Sequence, residues 1–233
     1  MRISLLQTLN AERAARRLTA VVTDITSGAQ RLVGENAVAD DELGGALAAQ
    51  MRSGKSGTLT HNGRAFHVTV YSPPLRLVLV GAVHISQFLA PMAKLADFDV
   101  TIIDPRTAFA SKARFPDVKL LALWPDEAPP IQNLDHYTGV ALLTHDPKID
   151  DPALIAALRA DCFYIGALGS RKTHGARVER MTAAGFTPAD MTRIHAPIGL
   201  DIGAVSPVEI ATSVLAEIIL SLRKKPLRTE VAA

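Results

Sequence analysis

Candidate ligand-binding residues follow the apolar runs in the second half of the chain. His84 comes shortly after the run 75–81 and begins a predicted helix, whose N-terminal N–H groups and dipole favour an anion. An imidazole there could contact a phosphate or transfer a proton near neutral pH. A packed histidine at a helix start is the structural alternative.

The spacing around this first run is that of an altered dinucleotide-binding fingerprint. Gly81 takes the place of the first glycine of G-x-G-x-x-G, and Asp104, at the end of the next apolar run, takes that of the ribose-binding acid. Val83 and Ser86 stand where the other two glycines belong, and a β-branched residue obstructs close approach of the backbone to a pyrophosphate. Arg106 could instead meet a 2′-phosphate, and Asp104 could simply cap a turn.

A third apolar run, 139–144, ends in Thr144, His145 and Asp146, which contain a His–Asp pair suited to acid–base chemistry or to a metal. Two ligands alone do not make a structural zinc site, and a third would have to come from another strand end. We therefore predict no metal site, and interpret the three residues as candidate ligand contacts.

The segment 166–172 is a polar junction between a predicted strand and a predicted helix. Glycines, a hydroxyl and two cations cluster there, which suits an anionic group such as a phosphate. Its candidate binding residues are Gly166, Gly169, Ser170 and Arg171. A loop with exposed charges at a helix start is the alternative.

An acid between two glycines precedes the last predicted helix, since Asp201 lies between Gly199 and Gly203. The glycines could hold Asp201 near the same edge as the other candidates, or Asp201 could serve only a turn. The histidines at positions 61, 67, 136, 174 and 195 lack convergent partners in the sequence. We interpret them as surface or internally satisfied side chains.

From residue 75 onward, apolar runs and helical segments alternate, as in an α/β fold. Strands are predicted at 75–81, 99–104, 118–123, 139–144 and 162–167, and helices at 86–95, 152–160, 173–184 and 207–222. The predicted fold class is α/β, with a Rossmann-like doubly wound parallel sheet in a domain of residues 75–225. Ligands bind such sheets outside the carboxyl ends of the strands, near the point where strand order reverses. We therefore expect the candidate residues to face one cavity.

Three N-cap–proline pairs predict helix starts, at Asp151-Pro152, Thr187-Pro188 and Ser206-Pro207. The last of them adds Glu209, the reciprocal acid of a capping box. These signals place the helices between the strands.

Residues 1–72 predict a small N-terminal α+β domain. Helices are expected at 4–17 and 41–51, a strand at 18–25, and a hairpin around Asn62-Gly63, a pair that supplies the positive φ angles of a type I′ turn. Ser72-Pro73-Pro74 is typical of a stiff linker. The thin core of this piece suggests support from a neighbour or from a second subunit, so a homodimer is a hypothesis.

Composition narrows the class of protein. The chain of 233 residues has 25 basic and 23 acidic side chains and 5% aromatics, which disfavours a nucleic-acid partner. A single cysteine, Cys162, permits no internal disulfide, and no apolar run approaches the roughly 20 residues that span a bilayer. We expect a cytoplasmic protein with no membrane partner.

Several ordered segments together resemble the XdhC/CoxI family of xanthine dehydrogenase accessory factors. The matching segments are 77–84, 100–106, 115–116, 144–146, 164–171, 193–204 and 207–219. Two departures stand out: the usual G-x-G-H turn is here Gly81-Ala82-Val83-His84, and the N-terminal region contains no cysteine.

The resemblance implies a Rossmann-like domain and a role in the maturation of molybdenum hydroxylases. Such factors are associated with binding molybdenum cofactor (molybdopterin), protecting it during sulfuration, and delivering it to an apoenzyme such as xanthine dehydrogenase. A cysteine desulfurase or sulfurase is then a possible second partner. The expected protein is a cofactor-handling chaperone rather than an enzyme. The alternatives are an NAD(P)-binding oxidoreductase or nucleotide sensor, and an assembly factor that binds no small ligand.

Overall fold

The computed structural model describes residues 2–224, and the chain divides after Pro74 into two compact units. Residue 225, where the sequence places the end of the second domain, lies outside the described residues. Within the described part, no helix is long and apolar enough to cross a bilayer. That part also contains no group of three His, Cys, Asp or Glu side chains placed to hold a metal ion.

The N-terminal unit is built on an antiparallel four-stranded sheet of order β2-β1-β4-β3. Its elements are α1 (Ile3–Ala14), β1 (Thr19–Asp24), β2 (Gln30–Gly34), a 3-10 turn (Glu35–Asp40), α2 (Gly44–Ser53), β3 (Gly57–His61) and β4 (Arg64–Tyr71). Asn62 and Gly63 both adopt positive φ between β3 and β4, as a type I′ hairpin turn requires. β2 is not predicted from sequence, because it is an edge strand in which only Val33 is buried.

The second unit is a six-stranded parallel sheet with helices between its strands. The strands are β5 (Arg76–Val80), β6 (Asp99–Ile103), β7 (Lys119–Leu121), β8 (Thr138–Leu142), β9 (Tyr164–Ala167) and β10 (Ile194–His195). The helices are α3 (His84–Leu95), α4 (Pro129–Gln132), α5 (Pro147–Arg159), α6 (Arg171–Ala183), α7 (Pro188–Met191) and α8 (Pro207–Lys224), with a 3-10 turn at Pro125–Glu127.

The strand order is β10-β9-β8-β5-β6-β7. The second unit therefore begins with β5 in the middle of the sheet and adds β6 and β7 toward one edge. It then returns to the middle with β8 and adds β9 and β10 toward the other edge. This is the doubly wound order, with its reversal between β5 and β8. The predicted Rossmann-like α/β fold class is confirmed.

Two apolar clusters cover the two faces of this sheet. Leu77 and Leu79 point into a cluster with α3 and α8, whereas Val78 and Val80 point into a cluster with α5 and α6. Because side chains alternate along a strand, an unbroken apolar run such as β5 supplies both faces at once. Because helices cover both faces of the sheet, the polar residues that could bind a ligand lie in the loops at the strand ends.

The predicted start of α5 is wrong. The helix begins at Pro147, with Asp146 as its N-cap accepting a hydrogen bond from the Lys148 N–H at 3.0 Å. Pro152 lies inside it. The sequence holds two Asp-Pro pairs five residues apart, and the first of them caps the helix. This shift brings Asp150 into the first turn of α5.

Candidate functional site

The two loops at the strand reversal pack directly against each other. Gly81 adopts φ +121°, and a Cβ built there would lie 2.9 Å from Cγ2 of Thr144. A larger residue at this position would push the loop after β5 away from the loop after β8. Gly81 is thus needed both for its backbone angle and for this close approach.

The loop after β5 closes on itself without further glycines. Val83 is the N-cap of α3 with extended backbone, φ −92° and ψ 178°. The Ser86 hydroxyl donates to the Gly81 carbonyl at 2.6 Å and is fully buried. His84, the first residue of α3, is exposed at the mouth of this loop, with its ring centroid 5.5 Å from that of Phe88.

Asp104 holds two loops together rather than facing solvent. Its side chain is fully buried, and Oδ2 accepts from the Ala82 N–H at 2.8 Å. Arg106 donates to both carboxylate oxygens, from Nε at 2.9 Å and Nη2 at 2.8 Å. Burial would raise the pKa of Asp104, but the hydrogen bonds from Arg106 and Ala82 outweigh it and lower the pKa. Both oxygens are therefore committed to the protein, which leaves none for a ribose hydroxyl.

The loop after β8 is organised by Asp150, which sequence analysis does not single out. Asp150 is 2% exposed and accepts from the Thr144 hydroxyl at 2.7 Å and the His145 N–H at 3.1 Å. Burial raises its pKa to about 6. These bonds hold His145 at φ +61°, a conformation that is uncommon for a residue with a side chain. The His145 ring is left exposed at the sheet edge.

The loop after β9 leads into α6 as an N-capped turn. Ser170 accepts a hydrogen bond from the Thr173 N–H at 3.2 Å, and Gly169 before it adopts φ +137°. Leu168 N–H donates to the Leu142 carbonyl at 2.8 Å, which joins this loop to the end of β8. Arg171, the first residue of α6, is exposed.

A histidine that sequence analysis left without a partner is part of a polar cluster. His195 Nδ1 lies 3.2 Å from Oε1 of Glu217, and its ring centroid lies 4.8 Å from that of Tyr164. Glu217 Oε2 also accepts from the Tyr164 hydroxyl at 2.7 Å and the Gly199 N–H at 2.8 Å. Burial would raise the pKa of Glu217, but the bonds from His195, Tyr164 and Gly199 lower it.

This cluster sits at the end of β9, because His195 pairs with Gly166 in the sheet register. A Cβ at Gly166 would lie 2.4 Å from the Tyr164 hydroxyl oxygen and 2.6 Å from Cδ1 of Ile198. Gly166 is therefore a packing position rather than an open ligand contact. Glu217 was missed because the carboxylate comes from the middle of an amphipathic helix, where an acid ordinarily faces solvent.

The predicted candidates therefore fall into three groups. The strand-end loops bring Gly81, Thr144 and Gly169 into one contiguous edge, through the packing of Gly81 on Thr144 and the bond from Leu168 to Leu142. A second group serves the loops and their packing: Val83, Asp104, Arg106, Asp146, Gly166 and Gly199. His84, His145, Ser170 and Arg171 are exposed along the edge, and Asp201 is exposed in the loop before α8 with no hydrogen-bond partner among residues 2–224.

A separate cleft of about 520 Å³ lies within the N-terminal unit. Its walls come from α1, β4 and the Ser72-Pro73-Pro74 segment, and include Arg13 stacked on Tyr71 at 5.7 Å. None of the candidate residues lines it.

Comparison with protein families matches residues 77–218, more than half of the chain, to the XdhC Rossmann domain. The curated relatives include the uncharacterized protein YqeB of Escherichia coli K12, 30% identical over 152 residues. The molybdenum cofactor insertion chaperone PaoD of the same organism is 32% identical over 148 residues. A protein of Bacillus subtilis 168 named as a probable xanthine dehydrogenase subunit is 30% identical over 153 residues.

These matches cover 64–65% of this chain but only 28% of YqeB, 40% of PaoD and 44% of the B. subtilis protein. The chain thus spans less than half the length that each of these relatives has. A crystal structure of a xanthine dehydrogenase from Bacillus halodurans has a TM-score of 0.65, with 22% identity, over 99% of this chain and 68% of that one. At this identity the likeness is one of fold.

Proposed function

Because the chain belongs to the XdhC Rossmann-domain family, we propose that it is an accessory factor for molybdenum hydroxylases of the xanthine dehydrogenase type. In this role it binds molybdenum cofactor, that is, molybdopterin with its metal, and aids its insertion into the apoenzyme. The relative named a molybdenum cofactor insertion chaperone supports this direction. A cysteine desulfurase or sulfurase is proposed as a second protein partner, and a homodimer as the working assembly.

The observation that carries the proposal is the contiguous edge at the strand reversal. Helix α3 begins there with an exposed histidine, and α6 begins there with a serine N-cap and no acid in its first turn. Molybdopterin joins a polar pterin to a phosphate, and both helix starts suit a negatively charged group. The groups along the edge are suited to hold such a cargo.

The same edge fits binding better than catalysis. The buried acids of this edge, Asp104 and Asp150, accept hydrogen bonds from backbone N–H groups, from Arg106 and from the Thr144 hydroxyl. Among residues 2–224, no serine, threonine or cysteine at this edge is paired with a histidine base. An adjacent histidine base is one of the arrangements that activate a hydroxyl or a thiol as a nucleophile. We therefore propose a cofactor-handling chaperone rather than an enzyme.

The test is an anaerobic titration of the purified protein with molybdopterin, alone and in the presence of the client apoenzyme. We expect binding at micromolar concentration or tighter, and His84→Asn should weaken it. His67→Asn, which changes an exposed histidine on β4, is the matched control and should bind as the unaltered protein does. No binding in either condition would refute the proposal and would favour an assembly factor without a small ligand.

The NAD(P)-binding alternative is tested in parallel by calorimetry with NAD(H) and NADP(H). The commitment of Asp104 to Ala82 and Arg106 disfavours a ribose contact. Val83→Gly should leave nucleotide binding undetectable if the chain is a molybdopterin carrier. If Val83 merely obstructs a dinucleotide, that substitution should tighten nucleotide binding instead.

A further inference from the structure

Arg177 on α6 is a buried cation with unused hydrogen-bonding capacity. Its side chain is almost wholly inside the protein, since the residue is only 2% exposed. Nη2 donates to the Leu168 carbonyl at 2.8 Å, but Nε and Nη1 are buried with no hydrogen-bond partner among the described residues. Leaving buried donors of a charged group unsatisfied is costly, so Arg177 calls for an explanation.

The neighbouring carboxylates, Asp150 and Asp151, do not accept hydrogen bonds from Arg177. Asp151 is bound by Arg180, whose Nη2 lies 3.0 Å from Oδ1. Asp150 is occupied by Thr144 and His145, and it influences Arg177 only through space. Both acids near Arg177 thus have their hydrogen bonds elsewhere.

The guanidinium lies at the loop that opens α6. A helical side chain leans toward the N-terminus of its helix, and the bond to Leu168 places the head group of Arg177 beside that loop. His174, nearly one turn earlier, has a buried Nδ1 that also lacks a partner within residues 2–224. Burial, and after it the charge of Arg177, lowers the pKa of both His145 and His174. The Leu168 residue that binds Arg177 also donates to the Leu142 carbonyl at the end of β8, so the loops after β8 and β9 adjoin near the guanidinium.

The start of α6 adds further donors. The N–H groups of Arg171 and Lys172 begin the helix and have no acceptor within it. No acidic residue occupies the first turn. A 13-residue helix directs its positive end to this point.

We propose that Arg177 and the N-terminus of α6 form a subsite for a phosphate group, bound between the loop 144–146 and the loop 168–171. The Nε and Nη1 groups of the guanidinium can each donate a charge-assisted hydrogen bond to a phosphate oxygen. This inference rests on the proposed function, since it names where the charged end of the cargo binds.

The first experiment measures binding of pyrophosphate to the full-length protein by isothermal titration calorimetry. We expect the unaltered protein to bind, and Arg177→Gln to weaken binding about tenfold or more, since it removes charge-assisted hydrogen bonds. Arg159→Gln is the control: it removes the same charge from an exposed residue at the far end of α5, and should change affinity less than about twofold. Equal affinity of the Arg177 variant and the unaltered protein overturns the subsite.

A second experiment needs no variant, because Arg177→Gln removes a buried group and could unfold the protein. Hydrogen exchange of the unaltered protein is followed by mass spectrometry with and without pyrophosphate. Exchange should slow in peptides covering 168–178 and stay unchanged in the β3–β4 hairpin. The subsite is overturned if hydrogen exchange slows only in other peptides, or if it slows in none at saturating pyrophosphate.

The two proposals fail separately. If molybdopterin binds and Arg177→Gln binds it as well as the unaltered protein does, the cargo proposal stands and the subsite is wrong. If molybdopterin does not bind but pyrophosphate does so in an Arg177-dependent way, the phosphate subsite stands and belongs to another ligand.

Discussion

Asp150 carries a proton that the unfolded chain gives up more easily. Burial raises its pKa to about 6 from an ordinary value of 3.8. Between these values the folded protein binds more protons than the unfolded chain does, so this group adds stability as the pH falls and loses it as the pH rises toward 6. His145 and His174 have lowered pKa values and act in the opposite sense as the pH falls.

We predict that Asp150→Asn removes this contribution. From pH 7 to pH 5 the unaltered protein should gain about 1 kcal/mol of unfolding free energy relative to the variant. Urea unfolding of both proteins at the two pH values measures the difference, in which the shared histidine effects cancel. An identical pH response of the two proteins would contradict an elevated pKa at Asp150.

Asp104 joins the loops after β5 and β6, so its loss should be felt in stability rather than only in binding. We expect Asp104→Asn to destabilise the fold by about 2 kcal/mol or more, because it leaves Arg106 and the Ala82 N–H with weaker partners in a buried place. Asp99→Asn, at the exposed start of β6, should lie within about 0.5 kcal/mol of the unaltered protein. Equal midpoints of urea unfolding for the two variants would show that the hydrogen bonds of Asp104 to Ala82 and Arg106 do not stabilise the fold.

For individual residues, the sequence predicts where polar side chains lie along the chain better than it predicts what those side chains bind. Asp104 and Asp146 lie at strand and helix ends as expected, but Asp104 is bound to Arg106 and Asp146 is an N-cap. Asp150, Arg177 and Glu217 were not predicted, because their importance comes from burial against loops that pattern and spacing do not reveal. The contacts of a buried polar side chain can be assigned only when the packing of its helix against the loops is known.

The elements follow the sequence closely where hydrophobic patterning and capping agree. The parallel strands, the Asn62-Gly63 hairpin and the helix start at Thr187-Pro188 are all predicted from local signals. The misplaced start of α5 and the unpredicted β2 and β10 have a common cause. Their local signals are duplicated or weak, and tertiary contacts decide between the choices.

Loop-to-helix packing gives a prediction at the scale of elements. A Cβ at Gly199 would lie 2.4 Å from the Ser213 hydroxyl of α8, whereas at Gly203 it would meet open space. Both glycines have positive φ, +93° and +73°. We expect Gly203→Ala to cost about 1 kcal/mol for its backbone alone, and Gly199→Ala to cost roughly 1 kcal/mol more, at least, through overpacking.

Thermal and urea unfolding of these two alanine variants isolates the packing contribution, since the backbone cost is common to both. Equal destabilisation would mean that the segment around Gly199 can move away from α8. In that case the hydrogen bond from Gly199 to Glu217 could not hold the loop in place.

For the molecule as a whole, the resemblance to the XdhC/CoxI family predicted from the sequence is confirmed by the family match over residues 77–218. Both apolar clusters that cover the parallel sheet draw only on residues from Leu75 onward. The second unit therefore contains a complete core of its own.

We predict that a fragment beginning at Leu75 folds without the N-terminal unit. It should unfold cooperatively on heating, followed by circular dichroism in the far ultraviolet, and keep the pyrophosphate binding proposed for α6. A fragment that unfolds gradually, or that exposes apolar surface to a dye, would show that the N-terminal unit is needed for the core.

The reversal of strand order between β5 and β8 also determines when the edge at the strand ends is completed during synthesis. The loops that meet there follow strands far apart in the chain, at Arg76–Val80 and Thr138–Leu142, and α6 comes later still. A nascent chain emerging from the ribosome presents half of the edge long before the other half exists. Under the proposed function, the cofactor can bind the complete edge only after α6 has been synthesised.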